Sequence, residues 1–249
     1  MTKQEKFQIL ERYKEWFRDA FMIAHKKNTK KLIDISEFNI NPFTVFYLAK
    51  FFKGDTSPRS VAEVLLYPRI LGTSVTTTFG HGMQKFISQI LGAYGSTTAG
   101  IDIEFTDQVD GRKKYCQLKS GPNSLNNADV TTIDNDFQAI RNLARTNNLN
   151  LQYGDLIFGL LYGEREELNS FIKLLESRDI TVIVGKEFWN HFTGDEDFYE
   201  ALFAASAEVA KEADFAPFLE DIINKLAVEV EKKYKDYYDQ NFDEIVDTE

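Results

Sequence analysis

Hydrophobic positions along this chain recur with two different periods, and the switch between them predicts its architecture. Phe7, Leu10, Tyr13, Trp16, Phe17, Phe21 and Ala24 follow helical spacing, which predicts an amphipathic helix over residues 3–27. Asn39 to Pro42 breaks the chain, a second apolar helix covers about Phe43 to Phe52, and Gly54 to Pro58 reads as a loop. Pro58 suits a first helical turn, so a third helix begins after Ser57-Pro58 and ends near Leu71-Gly72. Phe79, Met83, Phe86, Ile87, Ile90 and Leu91 then recur at three and four, predicting a helix over 79–91.

Between Gly100 and Asn126 the period becomes two. Ile101, Ile103 and Phe105 alternate with Asp102, Glu104 and Thr106, the pattern of a half-buried strand. Asp110-Gly111 is a two-residue turn signal, and Lys114 to Ser120 returns as the second strand of a hairpin. Helical spacing resumes over about Val130 to Arg145, with Ile133, Phe137, Ile140 and Leu143 inward and Asn127 or Asp129 as the cap. The apolar run Asp155 to Tyr162 predicts a strand buried on both faces. A helix over 164–177, a strand over 180–184 and a short helix ending near Gly194 follow, and residues 195–240 read as helical throughout.

Composition permits a large core: 43% of the 249 residues are hydrophobic and 14% aromatic. The lone cysteine, Cys116, rules out an internal disulfide, fits a reducing cytoplasm and reads as a core residue. Met1 to Lys14 is too polar for a secretory signal, and no apolar run reaches the roughly 20 residues that span a bilayer, so a soluble protein is expected. The net charge of −10 is uneven. Residues 196–249 hold 16 acidic side chains against 5 Lys, while the rest carries 23 acidic and 24 basic, so nucleic acid is neither demanded nor excluded as a partner. His25, His81 and His191 show no zinc-ligand spacing with the single Cys.

The hairpin carries the candidate chemistry. Gln117 and Lys119 are two apart and share a strand face, and the hairpin can set Asp102 beside them. A carboxylate and an amide oxygen can hold Mg²⁺, and a lysine beside them can orient water or stabilise charge on phosphate. An Asp, a Gln and a Lys on such strands also occur as plain solvated positions. Asp102, Gln117 and Lys119, spaced Asp-x14-Gln-x-Lys, resemble the signature of the PD-(D/E)xK nuclease superfamily, with Gln117 where most members carry Asp or Glu. The order helix, hairpin, helix, buried strand, helix, strand over about residues 78–185 resembles the superfamily core. NINPF at 39–43, GKEFW at 185–189, FG at 79–80 and GAYG at 92–95 resemble type II restriction endonucleases that cut interrupted GG/CC-rich palindromes.

The resemblance implies an α/β fold, a restriction-endonuclease-like mixed β-sheet core flanked by helices. It implies one nuclease domain over 1–249, with a helical region at 1–77, the α/β core at 78–194 and acidic helices at 195–249. Asp102 and Gln117 would be metal ligands and Lys119 the catalytic lysine. Gln84 would be an extra ligand through water or an exposed helix residue. Glu104 would assist or form a salt bridge with Lys119 or Lys114. The loop residues Ser120, Asn123, Ser124 and Asn126 are DNA-binding candidates, as are Gln138, Arg141 and Arg145 on the following helix, where arginine can read guanine and glutamine adenine or all three can be ordinary surface. The implied activity is Mg²⁺-dependent, sequence-specific cleavage of double-stranded DNA by a prokaryotic cytoplasmic homodimer, with aromatic terminal helices as contact candidates and a methyltransferase partner. A structure-specific repair nuclease, a non-catalytic DNA-binding module and an acidic helical interaction protein are the alternatives.

Overall fold

The computed structural model describes residues 1–90, 94–96, 99–148, 150–152 and 154–240. In chain order, α1 (Lys3–Trp16), a π-helical stretch and α2 (Ile23–Lys31) realise the first predicted helix, extended by one turn. Next come α3 (Pro42–Lys53) and α4 (Pro58–Pro68), capped by Asn41 and Ser57 at the predicted breaks, and α5 (Val75–Ile90), which starts one turn earlier than its apolar stripe suggested. Leu91, its expected end, and Gly92 and Ala93 of GAYG lie outside the described residues. Strands β1 (Tyr94–Gly95), β2 (Ile103–Thr106) and β3 (Lys113–Lys119) precede α6 (Asn127–Thr146). Then follow β4 (Leu156–Leu160), α7 (Ser170–Glu176), β5 (Thr181–Val184), α8 (Lys186–Thr193), α9 (Phe198–Glu212), α10 (Ala216–Lys233) and α11 (Lys235–Asp239).

By packing, the described residues divide into two compact units: those of 1–18 with 79–210, and those of 19–78 with 211–240. The first unit holds one five-stranded sheet in the order β1-β2-β3-β4-β5. Pairings β1–β2 and β2–β3 are antiparallel and β3–β4 and β4–β5 parallel, so the sheet is mixed, as expected of a restriction-endonuclease-like α/β fold. Every residue of β4 is buried, because a parallel strand inside a sheet with helices on both faces meets no water. One sheet face packs Ile103, Cys116, Leu118 and Ile157 against Met83, Phe86 and Ile87 of α5, with α1, α8 and α9. The other packs Phe158, Leu160 and Val182 against Val130, Ile133 and Phe137 of α6, with α7. Gly159 sits where a Cβ would come 2.8 Å from the Phe188 ring and 2.9 Å from Cys116 Sγ, so only glycine lets α8 approach β4 this closely.

The hairpin departs from the tight turn expected at Asp110-Gly111. Its connection runs over residues 107–112, because the buried Asp107 carboxylate accepts the Val109 N–H at 2.8 Å while the Asp107 N–H bonds the Arg112 carbonyl at 2.9 Å. Residues 164–177 likewise form a 3₁₀ turn (Arg165–Glu167) and then α7 rather than one helix. The second unit is helical, with Val45, Ala49, Val61 and Leu66 of α3 and α4 packed on Ile222, Leu226 and Val230 of α10. Of the terminal aromatic stripes, Tyr13 and Phe21 are buried and Phe46 packs on Tyr234 and Tyr237, whereas Phe43, Tyr47, Phe51 and Phe52 of α3 face solvent. Among the described residues no helix is long and apolar enough to cross a membrane.

Candidate active site

Asp102 stands one residue before β2 and continues its register. Its N–H donates to the Cys116 carbonyl at 3.1 Å, which puts it opposite Gln117 on β3. β3 pairs with β2 over Lys113–Cys116 and with β4 over Tyr115–Lys119, so β4 holds the backbone at Gln117 and Lys119. The Leu161 N–H, donating to the Lys119 carbonyl at 3.2 Å, extends this pairing past the strand end. Asp102, Gln117 and Lys119 line one cleft of about 290 Å³, closed on its far side by Asp129, Thr132 and Ile133 of α6.

The three side chains differ in their surroundings. The Asp102 Oδ2 accepts the Leu118 N–H at 2.7 Å. Asp102 keeps exposed surface, but its carboxylate loses water against the cleft wall. That desolvation raises its pKa above the ordinary carboxylate value, against the opposing pull of the Leu118 N–H and the Lys119 charge. Gln117 is buried to 9% exposure, and its Nε2 donates to the Gly100 carbonyl and, at 3.0 Å, to the Asp136 carboxylate. Its Oε1 accepts no hydrogen bond from the described residues and is the amide atom left for the cleft. Lys119 is exposed at the cleft rim. Cys116 faces the opposite core, where burial, with the Asp102 charge adding to it, pushes its thiol well up and leaves it unreactive.

The other candidate residues are placed elsewhere. Glu104 shares the Asp102 face but pairs with Lys113 at 2.6 Å, rather than with Lys114 or Lys119, and lines a neighbouring cavity. Gln84 is half-buried on α5, which packs on the other sheet face and is not part of the cleft lining. Ser120 lies beside α5, where a Cβ on Gly80 would sit 3.7 Å from its hydroxyl. Asn123 is exposed, whereas the Ser124 hydroxyl is buried and has no hydrogen-bond partner among the described residues. Asn126, not Asn127 or Asp129, caps α6: its side chain accepts from the Ala128 and Asp129 N–H groups at 2.8 and 3.1 Å. Gln138, Arg141 and Arg145 line a separate cavity toward the far end of α6, and Arg141 donates to the Asp179 carbonyl at 2.6 Å. With a rise of 1.5 Å per residue, Arg145 lies roughly 24 Å along the axis from Asp129.

Sequence reasoning missed Asp129, Thr132 and Asp136. Asp129, Ile133 and Asp136 are spaced by four and three, so the two carboxylates lie on the stripe that carries the inward-facing Ile133. Acidic residues on an inward stripe were the available signal. Among the described residues no group of three or more His, Cys, Asp or Glu is arranged to hold a metal ion. The cleft offers hard oxygen donors instead, the Asp102 carboxylate and the Gln117 amide oxygen. That set suits Mg²⁺, which takes one or two carboxylates and completes its shell with water and phosphate.

The chain matches the family described as Type II restriction endonuclease EcoO109I over residues 19–214. No curated protein matches it.

Proposed function

Since the chain belongs to the Type II restriction endonuclease EcoO109I family, we propose that it is a Mg²⁺-dependent endonuclease cutting double-stranded DNA at a short palindromic sequence, with Asp102, Gln117 and Lys119 as its catalytic set. Family membership supports a nuclease that engages DNA. The observation that carries the finer reading is the convergence of those three side chains on one cleft at the open end of the hairpin.

The cleft's charge supports a cation requirement. Asp102 and Asp129 face one ammonium, Lys119, so the unaided site is acidic and repels a phosphodiester. Asp102 and Gln117 would hold Mg²⁺, which when bound neutralises phosphate charge and polarises the P–O bond toward attack. Lys119, on the same strand face two residues beyond Gln117, orients the attacking water and offsets negative charge growing on the phosphate oxygens. The Leu118 N–H keeps the Asp102 carboxylate turned toward the cleft. Palindrome recognition implies a homodimer, one subunit per strand, and host protection implies a methyltransferase of the same specificity.

Digestion of unmethylated phage DNA tests the proposal. Discrete fragments whose ends share one sequence, formed with Mg²⁺ and abolished by EDTA, are expected. Binding without cutting would replace the proposal with a non-catalytic DNA-binding module, and cutting confined to branched or flapped substrates would replace it with a structure-specific repair nuclease. Sedimentation velocity should give a species of twice the 28.7 kDa chain mass.

A further inference from the structure

Asp136 has no part in the catalytic set, yet it touches it. Helical spacing puts it on α6 between the buried Ile133 and Ile140, one residue ahead of the fully buried Phe137, at the edge of the stripe that meets the sheet. There its Oδ2 lies 3.0 Å from Gln117 Nε2. Gly100 sits against the same carboxylate: its φ is +79°, and a Cβ on it would collide with the Asp136 carboxyl group. Gly100 also offers its carbonyl to the same Gln117 nitrogen. The amide NH₂ is therefore held between two acceptors.

That pairing decides which way the amide points. Turned by 180°, Gln117 would set its oxygen against the Gly100 carbonyl and the Asp136 carboxylate, three acceptors with no donor among them. As found, Nε2 faces inward and Oε1 remains for the cleft. A glutamate at position 117 would bring a second carboxylate to within hydrogen-bond distance of Asp136, where like charges repel and the Gly100 carbonyl loses its donor. We propose that Asp136 is a positioning residue that fixes the Gln117 amide with its oxygen toward the cation, and that its carboxylate makes an amide the workable side chain at position 117. The inference rests on the reading of Asp102 and Gln117 as the cation site.

The test is Mn²⁺ binding to the DNA-free protein, by calorimetry, in wild type, Asp102→Asn, Asp136→Leu, Asp136→Asn, Gln117→Glu and the pair Gln117→Glu/Asp136→Asn. Partners that orient metal ligands are typically worth about 10- to 100-fold in affinity, and Asp136→Leu should weaken Mn²⁺ binding by that factor. Asp136→Asn, whose side-chain oxygen still accepts from Gln117, should bind close to wild type. Gln117→Glu alone should not tighten binding, whereas the pair should bind more tightly than either single variant. Circular dichroism checks that each variant is folded; should Asp136→Leu not fold, the comparison of Gln117→Glu with the pair carries the test. Binding lost in Asp102→Asn but unchanged in Asp136→Leu, or a Gln117→Glu gain that is the same with and without Asp136, would overturn the role of Asp136 and leave the cation site standing. Mn²⁺ binding unchanged in Asp102→Asn would overturn the cation-site reading itself, and this inference with it.

Discussion

Two lysines five residues apart on β3 should fail in opposite ways. Lys114 is buried to 3% exposure, with its ammonium 2.5 Å from Asp110, 3.3 Å from Asp155 and 3.7 Å from Asp107. Lys114→Met keeps the stem volume and removes only the charge. Removing one partner of a buried ion pair typically costs about 3–5 kcal/mol. Here Asp155 retains Arg112 and the Gln152 N–H, and Asp107 retains His191 at 2.7 Å, so the cost falls at the lower end. About 3 kcal/mol, at roughly 2–4 °C per kcal/mol for a chain of this size, lowers the melting temperature by about 6–12 °C. Burial by itself would raise Asp155, but Arg112, the Gln152 N–H and Lys114 outweigh it and hold that carboxyl below the ordinary range. Asp110 is lowered in the same sense, by Lys114 and the Arg112 N–H against burial. A depressed carboxylate stabilises above its unfolded pKa of about 3.9 and loses that contribution as pH falls through its folded value. The gap between wild type and Lys114→Met should therefore be full at pH 7 and narrow below about pH 4. Cleavage at a temperature where both are folded should be nearly unchanged, because five strand residues put Lys114 roughly 16 Å from Lys119. A melting shift under about 2 °C, a gap that does not narrow in acid, or cleavage lost in proportion to charge would refute the reasoning.

Two other variants probe the cleft itself. Asp102→Asn keeps an acceptor for the Leu118 N–H but removes the charge, so Mg²⁺-dependent cleavage should fall by about 100-fold or more, the scale of deleting one preorganised electrostatic group. A carboxyl raised by burial contributes stability below its unfolded pKa and loses it as pH rises through the folded value, so Asp102→Asn should melt no lower than wild type at pH 7 without metal; a clear fall would mean that the charged form holds the fold together. Gly100→Ala adds a Cβ at φ +79° against Asp136. It should cost at least about 1–2 kcal/mol in thermal unfolding and weaken Mn²⁺ binding as well, whereas an unchanged melt would show that the turn tolerates any side chain.

How much of this was legible in sequence depended on whether a feature was local. Periods of 3.6 and 2 marked the helices and the hairpin, an unbroken apolar run marked the buried β4, and the break at 39–42, Pro58 and Gly194 marked helix ends through local backbone chemistry. The Asp102–Gln117–Lys119 convergence followed from strand alternation. What was missed came from contacts between distant segments. The connection at Asp110-Gly111 is wider than a two-residue turn, and its first residue, Asp107, is tied both to Val109 beside it and to His191, 84 residues away. Glu104 went to Lys113 across the strand pair, and the roles of Asp129 and Asp136 depended on how α6 docks over the hairpin. Gln138, Arg141 and Arg145 share that helix but line a separate cavity, a placement that the docking of α6 decides.

The most direct measurement is DNA cleavage and DNA binding on the same Lys119→Met protein, with Mg²⁺ for the first and Ca²⁺ for the second. Cleavage should fall by at least about 100-fold, with DNA affinity and melting temperature close to wild type. Cleavage that survives the substitution, yielding the same fragments at a similar rate, would contradict the role of Lys119 and move the chemistry away from this cleft.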